Sequence, residues 1–389
     1  MNKTEIVTLK NEFENELYGS VIPFWINHSI DNVNGGYYNH LDKDGSIYDK
    51  TKNTWLLGRQ VWMFSKLFRQ NQTEKKYLEI AKIGADFLLN NAKTNEGRVY
   101  FSLTEKGAPV SIQRKIFSEC FYALGLSEYG KVSGDDRFIK EAKYMMGNIW
   151  ELIESPEKLG RPVYNGTPKL SSLAIPMIML NLIEEIAEND FSSYSKEIDS
   201  CLKKIRLHYY EGMLIENIGE DGKLHDSSSG RLLNPGHAIE AGWFLIHWAQ
   251  KLKNKELLNF SSDIIRNTFL RGWDNEFGGI YYFLDIEEKS PIQLEWDMKL
   301  WWPHCESLYA FLLLYSITKR EDDWKNFIKV KEYTFNKFPD KKNGEWFGYL
   351  NRRGEITHRF KGGPYKGCFH VPRALLLSIN ILEKLTEEN

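Results

Sequence analysis

The chain has few cysteines, and they form no pattern typical of a metal site or a disulfide framework. Its four cysteines are spread through 389 residues, and no CxxC or HExxH motif occurs. A chain of this size does not depend on disulfides, so we expect reduced thiols and a cytoplasmic protein. We also predict no bound metal, because the spacing of His237 and Glu240 alone is a weak metal-binding signal.

Long apolar runs and an excess of one charge are missing as well. No stretch of about 18 apolar residues occurs, and charges are scattered through the first residues, so we expect neither a membrane span nor a signal peptide. The formal net charge of −2 gives no basic surface for nucleic acid. The absence of a P-loop and of a GxGxxG motif argues against a tightly bound nucleotide as redox cofactor.

What the sequence does contain is aromatic side chains and an internal repeat. Aromatic residues make up 14% of the chain, a share that suits core packing or an aromatic-lined cleft for sugars. Roughly every 60 to 65 residues, a glycine-rich turn and an alternating stretch precede a helical pattern. The copies lie near positions 35, 96, 160, 211, 277 and 344, the third being degenerate. This repeat predicts a single domain over residues 1–389.

Two kinds of helical pattern alternate between the turns. Residues 77–91 and 194–209 each carry one apolar face, which predicts helices of an outer layer. Residues 55–68, 238–249, 307–317 and 374–381 are apolar nearly all round, which predicts an inner layer. About twelve helices result, two per repeat and beginning with residues 5–27. The sequence therefore predicts a predominantly helical, two-layer protein with short hairpins.

Four of the inner helices begin with polar side chains although the rest of each helix is apolar. Any one of these side chains alone is more often a cap, a paired charge or a solvated group. Equivalent positions of stacked repeats share one face of a molecule, so we expect the recurring ones to converge. The candidates are Arg59, His237 with Glu240, Glu306, and His370 with Arg373. Glu119 and Tyr122, in the motif FSECFY at 117–122, are weaker candidates for contacts with a ligand.

The most concentrated of these junctions is KGGPYKGCFHVPR at residues 361–373. We expect Lys361 and Lys366 to lie on a solvated loop, and Cys368 to line the cleft without taking part in chemistry. His370 is the candidate catalytic group of this stretch. The histidines without such a context are interpreted as structural or solvated: residues 28, 40, 208, 225, 247 and 358.

Several long motifs resemble the N-acylglucosamine 2-epimerase family over essentially the whole chain. They are WLLGRQVWM at 55–63, IFSECFY at 116–122, NPGHAIEAGWF at 234–244, QLEWDMKLWWPH at 293–304, GEWFGY at 344–349 and the 361–373 stretch. The resemblance implies an all-α (α/α)6 barrel, usually a homodimer, that interconverts N-acetylglucosamine and N-acetylmannosamine. The family residues that carry over are Arg59, His237, Glu306 and His370, with Glu240 and Arg373 as neighbours in the pocket.

The resemblance also bears on cofactors and on the sugar. It implies no required cofactor; many members respond to ATP as an effector that is not consumed, and that trait stays open because the chain has no nucleotide motif. Related cellobiose 2-epimerases carry an asparagine and histidines in the segment that resembles SSLAIPM at 171–177, and this chain lacks them there. The difference favours an N-acylhexosamine substrate.

Epimerisation at C2 of an open-chain aldose needs proton removal on one face and proton return on the other. Two imidazoles suit this chemistry because their ordinary pKa lies near 6.5, and we expect His237 and His370 to form the pair. Arg59 would bind the developing enolate oxygen. Two groups of supporting side chains are predicted, Glu240 and Glu306 orienting the histidines and Trp301 and Trp302 walling the sugar.

Three other interpretations remain open from the residues. An inverting glycoside hydrolase would use Glu306 with Glu119 or Glu240, at a separation of about 6.5–9.5 Å. A non-catalytic binding protein would show exposed apolar patches in place of convergent polar groups. An aldose–ketose isomerase would return the proton to C1 of the same enediolate.

Overall fold

The computed structural model describes residues 3–188 and 190–388, and in that part of the chain helices dominate. In chain order the helices are α1 (Lys3–Glu16), α2 (Ile22–His28), α3 (Thr54–Gln70), α4 (Lys75–Asn91), α5 (Phe117–Ser133), α6 (Asp136–Glu154), α7 (Ala174–Ala187), α8 (Ser195–Leu207), α9 (Pro235–Lys251), α10 (Lys255–Gly272), α11 (Trp301–Thr318), α12 (Glu321–Lys337) and α13 (His370–Glu388). A π-helical turn, Leu17–Val21, joins α1 to α2, and two 3₁₀ turns cover Pro156–Leu159 and Ser192–Tyr194.

Burial separates these helices into two layers, as the apolar patterns predict. The inner helix α11 is buried without a break from Trp301 to Leu314. The outer helix α12 buries only a stripe spaced three or four residues apart, namely Asp323, Phe327, Val330 and Thr334. One turn of a helix takes about 3.6 residues, so this spacing puts the buried side chains of α12 on a single face.

The six inner helices form a ring in the order α3, α5, α7, α9, α11 and α13, in which each packs on the next. The first pair approaches very closely, since a Cβ on Gly58 would lie 2.1 Å from the carbonyl oxygen of Phe121. The ring closes between its first and last members, where Trp62 of α3 packs on Phe369 with ring centroids 5.3 Å apart. The expected (α/α)6 barrel is therefore confirmed.

Short antiparallel strands join the repeats at one end of the barrel. They are β1 (His40–Leu41), β2 (Ile47–Asp49), β3 (Lys52–Asn53), β4 (Ser102–Leu103), β5 (Pro109–Ser111), β6 (Leu170–Ser172), β7 (Tyr209–Tyr210), β8 (Met213–Leu214), β9 (Asn217–Gly219), β10 (Leu232–Leu233), β11 (Leu284–Asp285), β12 (Lys299–Leu300), β13 (Tyr349–Leu350) and β14 (Ile356–His358). The pairs β3–β4, β6–β9, β10–β11 and β12–β13 each link strands well separated along the chain. Because β3, β10 and β12 lead into α3, α9 and α11, the hairpins lie beside the first turns of the inner helices.

No described helix is both long and apolar enough to cross a membrane. The four cysteines are free and buried.

Candidate active site

A cleft of about 660 Å³ opens at the end of the barrel where the inner helices begin. Every inner helix contributes side chains to it, and hairpin residues form the rim. The helical lining residues are Trp55 and Arg59; Phe117, Ser118 and Phe121; Ala174, Met177, Ile178 and Asn181; His237, Glu240 and Phe244; Trp301 and Trp302; His370 and Arg373. The cleft is therefore the place where the predicted junctions meet.

Two histidines stand in the first turns of α9 and α13. Asn234 caps α9 by accepting a hydrogen bond from the backbone N–H of His237 at 3.3 Å, and Pro235 occupies the start of the helix. The indole of Trp302 lies beside both imidazoles, with ring centroids 5.1 Å from His237 and 5.9 Å from His370. One aromatic wall therefore borders both candidate bases.

His370 is held from behind by a buried carboxylate. Its Nδ1 lies 2.7 Å from Glu306 Oε1, so Nδ1 carries the hydrogen and Nε2 is left as the free lone pair. Trp243 donates its indole N–H to the other oxygen of Glu306 at 2.9 Å. Glu306 does not line the cleft. The structure thus gives Glu306 a positioning role behind His370, without contact to a ligand.

Arg373 joins the two predicted glutamates into one cluster. Its Nη2 donates to Glu240 Oε1 at 2.6 Å and to Glu306 Oε1 at 2.7 Å. All three side chains are buried, and ionised hydrogen bonds of this length are among the stronger ones in proteins. Glu240 therefore supports Arg373, and no hydrogen bond joins its side chain to His237 among the described residues.

The partner of His237 is Glu216, a residue that the sequence patterns did not single out. His237 Nδ1 lies 2.8 Å from Glu216 Oε2, which leaves Nε2 free, as in His370. Glu216 lies between β8 and β9, in the loop of the fourth repeat, 21 residues before the histidine. The only signal for it in the sequence is a carboxylate among the apolar residues of MLIENI at 213–218.

The two imidazoles have opposite pKa shifts. Burial, with the nearby cations Arg59 and Arg373, lowers the pKa of His370 well below its ordinary 6.5. Burial also acts to lower the pKa of His237, but the carboxylates around it, Glu216 foremost, outweigh that effect and raise its pKa above 6.5. The surroundings therefore favour the neutral form of His370 and the protonated form of His237.

Arg59 reaches the cleft from α3 as an unneutralised cation. Its guanidinium lies over the rings of Phe121, Trp55 and Phe369, at 4.0, 4.7 and 5.0 Å from their centroids. Its Nε is buried without a hydrogen-bond partner, and no ion pair of Arg59 is found among the described residues. Burial lowers its pKa to about 9, so it stays protonated at neutral pH. A cation in this condition can bind an anionic oxygen of a ligand.

The cluster also contains a donor set that a metal ion could use. One ligand atom each from Glu240, Glu306 and His370 lie within 4.8 Å of one another. Arg373 already donates to both carboxylates, so a cation would have to displace its guanidinium. The residues present therefore fit the internal arginine better than a metal ion.

Some expected residues are placed away from the cleft. The carboxylate of Glu119 is turned outward to Arg98, at 2.6 Å, and to the backbone N–H of Val99, so it does not line the cleft. Tyr122 is fully buried and donates its hydroxyl to Glu141 at 3.1 Å. Glu119 therefore joins α5 to the segment before β4, Tyr122 joins α5 to α6, and neither side chain lines the cleft.

The junction at 361–373 differs from expectation in three side chains. Lys361 and Lys366 are completely buried, and they pair with Asp340 at 3.0 Å and Glu345 at 2.7 Å. The prediction of a solvated loop is therefore wrong, because carboxylates from a distant hairpin neutralise both lysines. Cys368 is buried behind the cleft and does not line it, and burial raises the pKa of its thiol.

Two other histidines are also informative. His358, expected to be structural or solvated, lines the cleft from β14. His304 is buried, donates from Nδ1 to the carbonyl of Leu300 and accepts the backbone N–H of Ile280 at 3.0 Å. Burial lowers the pKa of His304 to about 3, so it is a neutral structural group.

Comparisons with known proteins find similarity in sequence and in fold along most of the chain. The family model for N-acylglucosamine 2-epimerase (GlcNAc 2-epimerase) matches residues 36–374. The N-acylglucosamine 2-epimerase of Bos taurus is 44% identical over 94% of this chain and 89% of its own, and that of Homo sapiens is 41% identical over 94% and 88%. The solved cellobiose 2-epimerase of Spirochaeta thermophila DSM 6192 superposes with a TM-score of 0.84 at 20% identity, covering 98% of each chain.

Proposed function

Because the chain belongs to the N-acylglucosamine 2-epimerase family of isomerases, we propose that it interconverts N-acetylglucosamine and N-acetylmannosamine with His237 and His370 as a two-base pair. The observation that carries the proposal is the pair of imidazoles along one cleft. Each is held through Nδ1 by its own carboxylate, so that Nε2 is free. The relatives from Bos taurus and Homo sapiens, which are 44% and 41% identical, are N-acylglucosamine 2-epimerases, and this supports the sugar class.

The reaction begins from the open-chain sugar, whose aldehyde acidifies the C2–H. The Nε2 of one histidine takes the C2 proton, and the C–H electron pair moves into the C1–C2 bond while the carbonyl electrons move to O1. The other histidine then gives its Nε2 proton to the opposite face of C2, and the electrons return from O1 to reform the aldehyde. The sugar leaves with C2 inverted, and the two histidines have exchanged protonation states.

The resting protonation states fit one direction of this cycle. Neutral His370 is ready to accept a proton, while protonated His237 is ready to donate one. Solvent exchange of the two imidazole protons restores the starting state or prepares the reverse direction. The cycle needs one proton on the pair, whichever imidazole holds it.

Arg59 would stabilise the charge that develops on O1. Its guanidinium has no anionic partner among residues 3–188 and 190–388, and three aromatic rings lie around it. A preorganised cation in such a setting stabilises an enolate more than it stabilises a neutral carbonyl. Trp301 and Trp302 form the wall against which the sugar would lie.

The other interpretations fit the geometry less well. Carboxylate oxygens of Glu240 and Glu306 lie within 4.8 Å and share one arginine nitrogen, whereas inverting hydrolases separate the pair by about 6.5–9.5 Å. The proposed substrate carries an acylamino nitrogen at C2, and this disfavours aldose–ketose isomerisation. If the enediolate were protonated at C1, the product would have an imine and not a ketone at C2. A pure binding protein would not need two free imidazole nitrogens along one cleft.

Several further properties are proposals that rest on the family. We propose that the protein is a cytoplasmic homodimer that requires no cofactor. ATP, which acts on many family members as an effector that is not consumed, is a candidate effector. Light scattering of the purified protein tests the dimer. Assays with a chelator and with a non-hydrolysable ATP analogue test the cofactor and effector proposals separately.

The proposed reaction is tested by incubating the wild-type enzyme with candidate sugars in D₂O and following C2 by proton NMR. We expect N-acetylglucosamine to give N-acetylmannosamine with deuterium at C2. A ketose product would favour the isomerase, a cleaved glycoside the hydrolase, and unchanged sugars would contradict the proposed function.

A further inference from the structure

One wall of the cleft has a composition that the two-base chemistry does not explain. Helix α7 turns a single face toward the cleft, made of Ala174, Met177, Ile178 and Asn181. Their spacing of three to four residues puts them on one stripe of the helix. Three members are apolar, and the fourth, two turns into the helix, is an amide.

Asn181 is the unexpected member of this stripe. It lies in the apolar run AIPMIMLNLI, and its side chain is 93% buried, with 7% exposed. Within the described residues it makes no hydrogen bond to any protein group, although it borders the cleft. Asn181 therefore faces the cleft as an amide without a side-chain partner among the described residues, and it is available to pair with a polar group of a ligand.

The stripe borders the same cleft as both imidazoles, so a substituent of C2 can reach it. In a two-base mechanism, the plane that contains C1, C2, C3 and the C2 nitrogen lies between the two imidazoles. The nitrogen therefore points along this plane, toward a wall of the cleft and away from both imidazoles. Helix α7 packs directly against α9, which carries His237. Asn181 also borders a second cavity of about 290 Å³, together with Phe369 and Arg373, so the space beyond this wall is open.

We propose that Asn181 hydrogen-bonds the acylamino group at C2 of the substrate, and that Met177 and Ile178 contact its alkyl part. A primary amide offers one acceptor and two donors, which match the N–H and the C=O of an acylamino group. The adjacent apolar side chains match the methyl group of an acetyl substituent. This assignment rests on the proposed function and adds a residue that would distinguish N-acyl sugars from 2-hydroxy sugars.

The test uses Asn181→Leu, which keeps the number and branching of the side-chain heavy atoms and removes both hydrogen-bonding groups. Binding is measured by calorimetry in a His370→Asn background, where the sugar is not turned over. For N-acetylglucosamine and N-acetylmannosamine we expect Kd to rise by about tenfold or more. For glucose and mannose, which lack the acylamino group, we expect less than about a twofold change.

The matched control is Asn380→Leu on α13. Asn380 borders the second cavity and not the cleft, so its replacement should leave the Kd of both sugar classes unchanged. Asn181→Leu should leave Tm close to that of its parent, because the side chain of Asn181 has no hydrogen bond to a protein group to lose. A purely structural asparagine would give a lower Tm.

The assignment is overturned if Asn181→Leu binds N-acetyl sugars as tightly as its parent, or if both sugar classes weaken equally. Failure of the proposed function gives a different result, because it would appear as unchanged sugars with wild-type enzyme in D₂O. The comparison of Kd values does not depend on that assay.

Discussion

At the scale of single residues, the site is a pair of imidazoles whose surroundings differ. His370 lies near two arginines, whereas His237 lies near carboxylates, and this difference separates their pKa values. Position in the repeat predicted that both histidines would meet at one place, and the structure puts both of them in the lining of the cleft. Glu216 could not be predicted in the same way, since only the folded chain brings it within 2.8 Å of His237.

The first prediction concerns pH. The active form holds one proton on the histidine pair, so kcat/KM should rise as pH passes the lowered pKa of His370 and fall as pH passes the raised pKa of His237. The acid limb should therefore lie below pH 6.5 and the basic limb above it. Both reaction directions should give the same two apparent values, because these belong to the coupled pair.

The measurement is kcat/KM against pH for each epimer as substrate. Glu216→Gln should move the basic limb to lower pH, because it removes the carboxylate that most raises the pKa of His237. A basic limb that stays in place would contradict the assignment.

The second prediction concerns the support of His370. Trp243→Phe removes the donor to Glu306 Oε2 and leaves a buried carboxylate oxygen without a partner, a change of about 1–3 kcal/mol in local interactions. We expect kcat to fall by roughly tenfold with KM nearly unchanged, because Trp243 does not line the cleft. The acid limb of the pH profile should shift to higher pH, since the loss of one hydrogen bond leaves more negative charge on the Glu306 carboxylate and this charge favours the protonated form of His370.

Trp248→Phe is the matched control for this variant. Trp248 is on the same helix, is fully buried, and donates its indole N–H to the backbone carbonyl of Leu180 at 3.2 Å. It should lower stability without changing the pH profile. An unchanged profile and kcat in Trp243→Phe would show that Glu306 is held by other groups.

At the scale of elements, a buried lysine that pairs with an aspartate of a hairpin turn recurs in three of the repeats. Lys52 pairs with Asp31 at 2.7 Å, Lys299 with Asp274 at 3.1 Å, and Lys361 with Asp340 at 3.0 Å. All three lysines are completely buried. Sequence patterns predicted the hairpins themselves, because turn residues mark them. The patterns missed these pairs, since a lysine is usually solvated and each partner lies about 21 to 25 residues away.

The third prediction concerns the loop that carries His370. Lys366 bonds Glu345 and the carbonyl of Lys361, and Glu345 has a left-handed backbone with φ of 56°. Lys366→Met would leave the carboxylate of Glu345 buried and uncompensated, so we expect the free energy of unfolding to fall by about 3–5 kcal/mol. Urea unfolding measures this, and Lys366→Met with Glu345→Gln should recover part of the loss. A single variant as stable as wild type would contradict this role.

At the scale of the whole molecule, six helical pairs close into a ring with the candidate site at one end. Hydrophobic periodicity was sufficient to predict the two layers, because an inner helix must be apolar on every side. The spacing of the glycine-rich turns predicted the number of repeats. Ring closure was not encoded in any local pattern. It depends on contacts between the ends of the chain, such as the backbone N–H of Lys361 donating to the carbonyl of Leu41 at 2.9 Å.

The ring also explains why the site residues converge. Equivalent positions of successive repeats point to the same end of the barrel, so Arg59, His237 and His370 meet although they are far apart in sequence. Glu119 occupies a comparable position near the start of α5, but its carboxylate is captured by Arg98. Repeat position thus predicts where a residue lies in the barrel and leaves the direction of its side chain undetermined.

The central claim is that His237 and His370 act on opposite faces of C2, and hydrogen–deuterium exchange with the single variants tests it most directly. His237→Asn and His370→Asn are each incubated in D₂O with pure N-acetylglucosamine and with pure N-acetylmannosamine, with His247→Asn at the far end of the barrel as control. Neither site variant should epimerise. Each should still exchange the C2 proton of one sugar, through its remaining base, and the two variants should exchange different sugars. Near wild-type epimerisation by either folded variant, or exchange of the same sugar by both, would contradict the two-base account.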